Sequence, residues 1–257
     1  MKQEAKISVV INTYNAELHL AQVLEAVKDF DELLICDMES TDHTLDIARR
    51  YGCRIVTFAK GDHKSAEPAR TFAIQKATHE WVLVVDADEI VTPELRTYLY
   101  HRASQPDCPA GLYIPRRNRF MTRYTKSLSL DRQLRFFRRE GTVWPPFVHT
   151  FPKVKGPTEK IPASARNVCF VHLADETISD LVRKTDAYTE GELQKRIDKG
   201  YGLGALIGRP LWRFCRNYIL EMGFRDGLPG LVRAGMDAFY QFVLVAKVIE
   251  NKMKNEE

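Results

Sequence analysis

The sequence lacks the glycine fingerprints of the common nucleotide folds. No G-x-G-x-x-G follows its first apolar run and there is no P-loop, so a bound nucleotide would not rest on a glycine cradle at a helix N-terminus. The charge of a diphosphate would have to be met by a metal ion and basic side chains. Cysteine is sparse: Cys36, Cys53, Cys108, Cys169 and Cys215 lie far apart with no C-x-x-C. An odd, scattered set argues against a disulfide framework or a zinc site and for reduced thiols in the cytosol. No apolar run reaches the length of a membrane span, and there is no internal repeat or low-complexity tract. Met1-Lys2-Gln3-Glu4 leads almost directly into a strand, which reads as the absence of a secretory signal. The net charge of +4 is too mild to imply a nucleic-acid partner.

What is present suits one large domain, or one domain with an appendage: 257 residues, 44% of them hydrophobic, enough for a real core. The chain is organised around Trp81-Val82-Leu83-Val84-Val85-Asp86-Ala87-Asp88-Glu89. The apolar half reads as a strand buried on both faces. If the chain stays extended at its exit, Asp86 and Asp88 point to one side, where two carboxylates repel unless a cation sits between them. Oxygen ligands of this kind suit Mg²⁺ or Mn²⁺, which take further ligands from water and a substrate phosphate. The plainer alternative is that these acids cap the helix beginning at Thr92-Pro93.

Neighbouring segments favour the metal. Ile7–Ile11 reads as a first strand leaving into Asn12-Thr13-Tyr14-Asn15, and a helix is predicted from about Ala16 to Lys28, with Leu20, Leu24 and Val27 on one face. Leu33–Cys36 is a second strand ending at Asp37. Ser40-Thr41-Asp42 caps a helix closing at Tyr51-Gly52, and Arg54–Phe58 is a third strand. A polar loop, Lys60–Pro68, precedes a helix through Ala69, Ala73 and Ala77. This alternation predicts right-handed βαβ units and a parallel sheet, whose ligands bind outside the carboxyl ends of the strands. Three such ends are polar (Thr13-Tyr14-Asn15, Asp37-Met38-Glu39, Asp86-Ala87-Asp88) and are expected to converge on one crevice.

Beyond Pro93 a helix to about Arg102 and a Pro-containing link lead to the strands Leu112–Pro115, Arg132–Arg138 and Val168–Leu173 of a mixed or antiparallel portion. Arg116 to Arg139 holds nine Lys or Arg against one acid, Asp131. Any one of these cations reads as solvated surface; as a cluster they predict an anion-binding surface, with Arg135 and Arg138 as its candidates. From Thr177 the chain reads as helical, with a glycine-rich joint at Gly200–Gly208. Leu211–Ile219 and Ala238–Ala246 suit either helices packed on the core or on a second subunit, or helices lying in a membrane interface.

Taken together, Thr13-Tyr14-Asn15, Asp37-Met38-Glu39-Ser40-Thr41-Asp42-His43-Thr44 and Asp86-Ala87-Asp88-Glu89 resemble the inverting glycosyltransferases of family 2, with the GT-A fold. Arg135-Phe136-Phe137-Arg138-Arg139, Val171-His172, Arg209-Pro210-Leu211 and Gly223-Phe224-Arg225-Asp226-Gly227 are similar to the branch acting on lipopolysaccharide-core heptose. The fold class implied is α/β: a Rossmann-like, mostly parallel sheet with a smaller antiparallel portion. The domains would be residues 1–175, with a nucleotide-sugar half to about 95 and an acceptor half beyond it, and a helical region 176–257, a candidate for membrane association.

The resemblance implies a nucleotide-diphosphate sugar donor, a UDP-sugar first, and an anionic glycan or glycolipid acceptor. The enzyme would sit in the cytoplasm or peripherally on the cytosolic face of the inner membrane. Thr13, Tyr14, Asn15, Glu17 and Ala87 would line the nucleotide site, Asp37 would bind base or ribose, and Asp86 ribose or bound water. Asp88 would hold the metal, with His172 as a further ligand. Loss of the diphosphate is helped by a divalent ion, and the acceptor hydroxyl needs a general base. Related chains carry an acid just after the Val-His of Phe147-Val148-His149; here Thr150 stands there. The remaining candidates are Asp131, His149, Glu89 and Glu159; Asp131 comes first among them as a base, while a surface ion pair with the neighbouring arginines is the plainer reading of that residue. A polyprenyl-phosphate acceptor, a nucleotidyltransferase and a non-catalytic nucleotide-sugar-binding module are the competing readings.

Overall fold

The computed structural model describes residues 5–63, 65–126, 131–147, 150–162, 164–165, 167–193 and 196–256. The chain divides into two compact units: Met1–Arg117 with Asp131–Leu173, and Asn118–Leu130 with Ala174–Glu257.

The first unit begins as the alternation predicts. Strand β1 (Ile7–Thr13), helix α1 (Glu17–Val27), β2 (Glu32–Asp37), α2 (Thr44–Arg50), β3 (Arg54–Thr57), α3 (Glu67–Lys76) and β4 (Trp81–Asp86) follow one another. β1 pairs parallel with β2 on one side and β4 on the other, and β2 pairs parallel with β3. After β4 come β5 (Glu89–Val91), α4 (Pro93–Ala103), β6 (Gly111–Phe120), β7 (Arg123–Tyr124), β8 (Arg132–Arg138), β9 (Thr158–Lys160) and β10 (Phe170–Glu176). β8 joins β4 antiparallel, β6 joins β8 antiparallel, and β9 adds to β6, so the strand order runs β3-β2-β1-β4-β8-β6. β5 pairs with β10, bringing His172 opposite Glu89.

β1 is buried along its whole length because both faces of the sheet are covered. Ile7, Val9 and Ile11 meet Leu20, Leu24 and Val27 of α1 and Leu95 and Leu99 of α4 on one face. On the other, Val10, Leu34, Val82 and Val84 meet Ala69, Ala73 and Ile74 of α3. The small alanines let α3 lie close to the sheet. Trp81 stacks on Phe136 with ring centroids 4.9 Å apart, tying β4 to β8 where the sheet turns from parallel to antiparallel.

The second unit contains the end of β6, β7, α5 (Ile178–Leu193), α6 (Leu203–Cys215), a π turn (Arg216–Leu220), a 3-10 turn (Gly223–Asp226) and α7 (Leu228–Glu256). Leu244, Val245 and Val248 of α7 are buried. Lys247 bonds Asp186 and Glu190 of α5 at 2.9 and 3.0 Å, and Asn217 donates to Asp237 at 2.7 Å. The boundary expected at residue 175 is therefore displaced. Residues 118–130 belong with the helices because Phe120, at the end of β6, is buried against the start of α7, where it lines a small cavity with Gly230, Arg233 and Ala234.

Candidate active site

A cleft of about 420 Å³ opens at the carboxyl ends of β1, β2 and β4, where a parallel sheet holds its ligands. Thr13, Tyr14, Asn15, Met38, Ala87 and Asp88 line it together with Lys60, His63, Ser65 and Ala66 from the loop after β3. The three polar strand ends thus meet as expected. The turns that carry them are laced together. Asn15 Oδ1 accepts from Thr41 N at 2.8 Å, Asn15 N donates to Ser40 Oγ at 2.9 Å, and Ala16 N donates to Thr44 Oγ1 at 2.8 Å. Asn15 and Glu39 adopt left-handed φ values of 47° and 62°, conformations that a non-glycine residue rarely adopts.

Asp37 and Glu17 serve this lacing. Asp37 is 1% exposed, and its carboxylate accepts from Thr13 Oγ1 at 2.8 Å, Ser40 N at 2.9 Å and Ser40 Oγ at 2.6 Å. Both of its carboxylate oxygens are engaged within these turns, and it is not among the residues lining the cleft. Glu17 Oε2 accepts from His43 N at 3.0 Å, and Glu17 is not part of the cleft wall. Sequence reasoning missed Asn12, the penultimate residue of β1. It lines the cleft, is 9% exposed, and neither its amide oxygen nor its amide nitrogen has a hydrogen-bond partner. A polar side chain closing an otherwise apolar strand was the available signal. Lys60, whose ammonium sits 4.4 Å from the Tyr14 ring centroid, lay in a loop without periodicity and gave none.

The expected pairing of Asp86 with Asp88 around one cation is not what forms. The chain turns immediately after β4, so the two carboxylates diverge. Asp86 points between two buried guanidiniums: Arg70 Nη2 donates to Oδ1 at 2.8 Å, and Arg135 donates to Oδ2 at 2.6 Å and Oδ1 at 3.3 Å. Both guanidiniums lie over the Trp144 ring, at 4.5 and 5.1 Å. Burial alone would raise the Asp86 pKa, but the charges of Arg135 and Arg70 hold it well below the ordinary carboxylate range. Arg135 is consequently buried at 5% exposure and is no part of an anion-binding surface.

Glu89, with no solvent exposure, sits beside this cluster; burial and the Asp86 charge raise its pKa, opposed by Arg135 and Arg116. Arg116 links Glu89 at 3.0 Å to Asp131 at 2.8 Å. Asp131 takes a second bond, from Gln133 Nε2 at 2.6 Å. The ion-pair alternative for Asp131 is thus the arrangement found. Arg138 pairs with Glu80 and covers Trp81, at the start of β4 and far along the strand from the cleft. Arg132 and Arg139 donate to the carbonyls of Ile161 and Ala77. The basic stretch is therefore not a single anion site: much of it is spent on pairing within the fold. Thr150, in place of the expected acid, donates to Phe147 O at 2.6 Å. His149 lies outside the described residues.

Asp88 remains on the cleft wall, and His172 comes to it from β10, Nε2 to Oδ2 at 3.2 Å. Burial would lower the His172 pKa, but its hydrogen bond to Asp88 and the Asp88 charge raise it. Among the described residues no cluster of three or more His, Cys, Asp or Glu could cage a metal alone. One carboxylate and one imidazole at the mouth of a cleft nonetheless fit a divalent ion that takes its other ligands from water and a diphosphate.

A curled, mostly parallel sheet with an antiparallel portion, followed by helices and carrying a polar cleft at its strand exits, is the GT-A architecture of sugar-transferring enzymes. The family profile described as Glycosyl transferase family 2 matches residues 8–153, more than half of the chain, and the protein belongs to that family of glycosyltransferases. The chain is 23% identical over 273 residues to an uncharacterized glycosyltransferase of Rickettsia typhi, spanning 97% of this chain and 89% of the relative. It is 24% identical over 252 residues to the lipopolysaccharide core biosynthesis glycosyltransferase LpsC of Rhizobium meliloti, spanning 95% and 92%. In fold it is similar to TarS of S. aureus, residues 1–349 (TM-score 0.51, 13% identity, 96% and 92% covered). It is also similar to a mannosyltransferase of Pyrobaculum calidifontis solved with GDP-Man and Mn²⁺ (TM-score 0.52, 16% identity, 98% and 87% covered).

Proposed function

We propose that the protein is an inverting, metal-dependent hexosyltransferase that takes its sugar from a nucleotide-diphosphate donor, a UDP-sugar first, and passes it to a lipopolysaccharide-core or related anionic surface glycan. The observation that carries this reading is Asp88, on the wall of a cleft built from three strand exits, paired with His172 at 3.2 Å. The likeness to a lipopolysaccharide-core enzyme over nearly the whole of both chains supports the acceptor class.

In this reading the nucleotide lies along Thr13, Tyr14 and Asn15, with the unpaired amide of Asn12 beneath it. Asp88 and His172 would hold Mg²⁺ or Mn²⁺, which supplies Lewis-acid stabilisation of the departing diphosphate. Lys60 stands on the same cleft and adds positive charge there. Asp86, clamped by Arg70 and Arg135, keeps the β4 exit rigid and so fixes where Asp88 points. The acceptor hydroxyl attacks the anomeric carbon from the face opposite the diphosphate, giving inversion. Of the candidate bases, Glu89 is inaccessible, Glu159 lies beside Arg102 at 3.4 Å, and Asp131 positions Arg116. The role is left to His149.

Thermal melting with UDP, Mn²⁺ or both separates binding from turnover. A stabilisation that needs both ligands, lost in Asp88→Asn, is the expected result; equal stabilisation of wild type and Asp88→Asn would remove the metal assignment. A screen of nucleotide sugars for acceptor-free hydrolysis then names the donor.

A further inference from the structure

The helices of the second unit expose apolar surface in an ordered pattern. On α6, Leu203, Ile207 and Leu211 recur every four residues on one face, exposed at 71%, 60% and 60%, with Trp212 beside them. On α7, Leu228, Leu231, Phe239 and Phe242 are all exposed and fall on one face by helical spacing. Between the helices, the π and 3-10 turns expose Ile219, Leu220, Met222 and Phe224. No residue of α6 is fully buried, and the face that carries Leu203, Ile207 and Leu211 is open to solvent.

The charges of the segment have one sign where they meet solvent. Among the described residues from Leu203 to Leu231, the exposed charged side chains are Arg216 and Arg225. The acids there are half-buried and engaged: Glu221 lies 3.7 Å from Arg216, and Asp226 accepts from the backbone of Lys126. None of the described helices is long and apolar enough to cross a membrane. Apolar side chains with an exposed tryptophan, flanked by arginines, on helices that cannot span, match a surface that lies in the headgroup layer of an anionic bilayer. A two-fold contact between copies of the chain would instead bring duplicate arginines to one interface with no spare acid to meet them.

We infer that α6, the two turns after it and the first half of α7 form a docking surface for an anionic phospholipid bilayer. The apolar turn enters the interface, and Arg216 and Arg225 contact lipid phosphates. This deepens the transferase reading by naming what holds the enzyme near a lipid-borne acceptor. It rests on that reading only for its purpose, because vesicle binding is measured without donor or acceptor.

The full-length protein is tested by co-sedimentation with vesicles of phosphatidylcholine alone or mixed with phosphatidylglycerol. Of the three tryptophans, Trp81 and Trp144 are buried at 2% and 5% and Trp212 is 61% exposed, so vesicle-dependent fluorescence reports on α6. The inference requires binding to the mixed vesicles, weakened by added salt, with a blue shift of emission that is absent in Trp212→Phe. The double variant Leu220→Asp/Phe224→Asp should bind at least about tenfold more weakly, and Arg216→Gln/Arg225→Gln should bind less and lose the salt dependence, both melting within a few degrees of wild type. Binding unchanged in both variants, no binding to either vesicle, or a wild-type dimer in sedimentation that the Leu220→Asp/Phe224→Asp change converts to monomer would each overturn it.

Discussion

Asp86 shows how a residue legible as functional takes on a structural duty. Its two oxygens bond Arg70 and Arg135, both buried, so Asp86→Asn removes the carboxylate charge that faces these two cations in low dielectric. Breaking a fully buried pair costs about 3–5 kcal/mol, and a carboxylate still in partial contact with solvent somewhat less, so about 2–3 kcal/mol is expected from urea unfolding at neutral pH. The pH sign follows from the depressed pKa. The stabilisation is fully present above the unfolded value of about 3.9 and is lost as pH falls from there toward the lower folded value. Wild type should therefore lose stability below about pH 4 more steeply than Asp86→Asn; parallel curves would show that the pair contributes little. Two further substitutions separate positioning from proton transfer. Asp131→Asn should keep kcat within about threefold, while His149→Ala should lower it by about a hundredfold or more. A large loss of kcat in folded Asp131→Asn would return the base role to Asp131. Asn12→Ala should raise the donor KM and leave acceptor KM unchanged, since the amide it removes has no partner inside the protein.

At the scale of elements, legibility depended on length and periodicity. β1, β2 and β4 are strands of seven, six and six residues with apolar centres, and their polar exits were readable as one rim. β5, β7 and β9, of three, two and three residues, carry no pattern, and β5 is the one that mattered. It begins at Glu89, so the chain must turn at Ala87-Asp88, and that turn parts the two aspartates an extended reading had put together. Charge was the other source of error. A run of cations in sequence says nothing about which acids the fold will bring to it, and Arg116, Arg135 and Arg138 each found one. The helical region turns on a close approach that composition could not reveal. A Cβ added at Gly230 of α7 would lie 2.0 Å from Gly223 O, so Gly230→Ala must push the helix start off the 3-10 turn, at a cost of about 2 kcal/mol or more. Gly235, one and a half turns on, meets nothing within 4 Å, and Gly235→Ala should instead stabilise by up to about 1 kcal/mol. Thermal melting of the two variants should move in opposite directions.

For the whole molecule, the consequence lies in how the chain shares itself between its two units. A parallel half-sheet and a set of helices look separable at residue 175, where the chain begins to read as helical. Yet Asn118–Leu130 is assigned to the helical unit, where Phe120 is 2% exposed and shares its cavity with Gly230, Arg233 and Ala234 of α7. Arg233 also covers the Phe120 ring at 5.8 Å. A fragment of residues 1–175 would keep Phe120 and the β6–β7 pairing but lose the α7 residues that line the Phe120 cavity, exposing an aromatic ring. Such a fragment should bind a hydrophobic dye, lack a cooperative thermal transition and precipitate at concentrations where the full chain stays monodisperse. If it melted cooperatively as a soluble monomer, the helical unit would be an independent attachment. If it does not, the family's nucleotide-binding half and this chain's helices fold as one cooperative system, and damage to the helices will reach the sugar-transfer site through stability before it reaches it through chemistry.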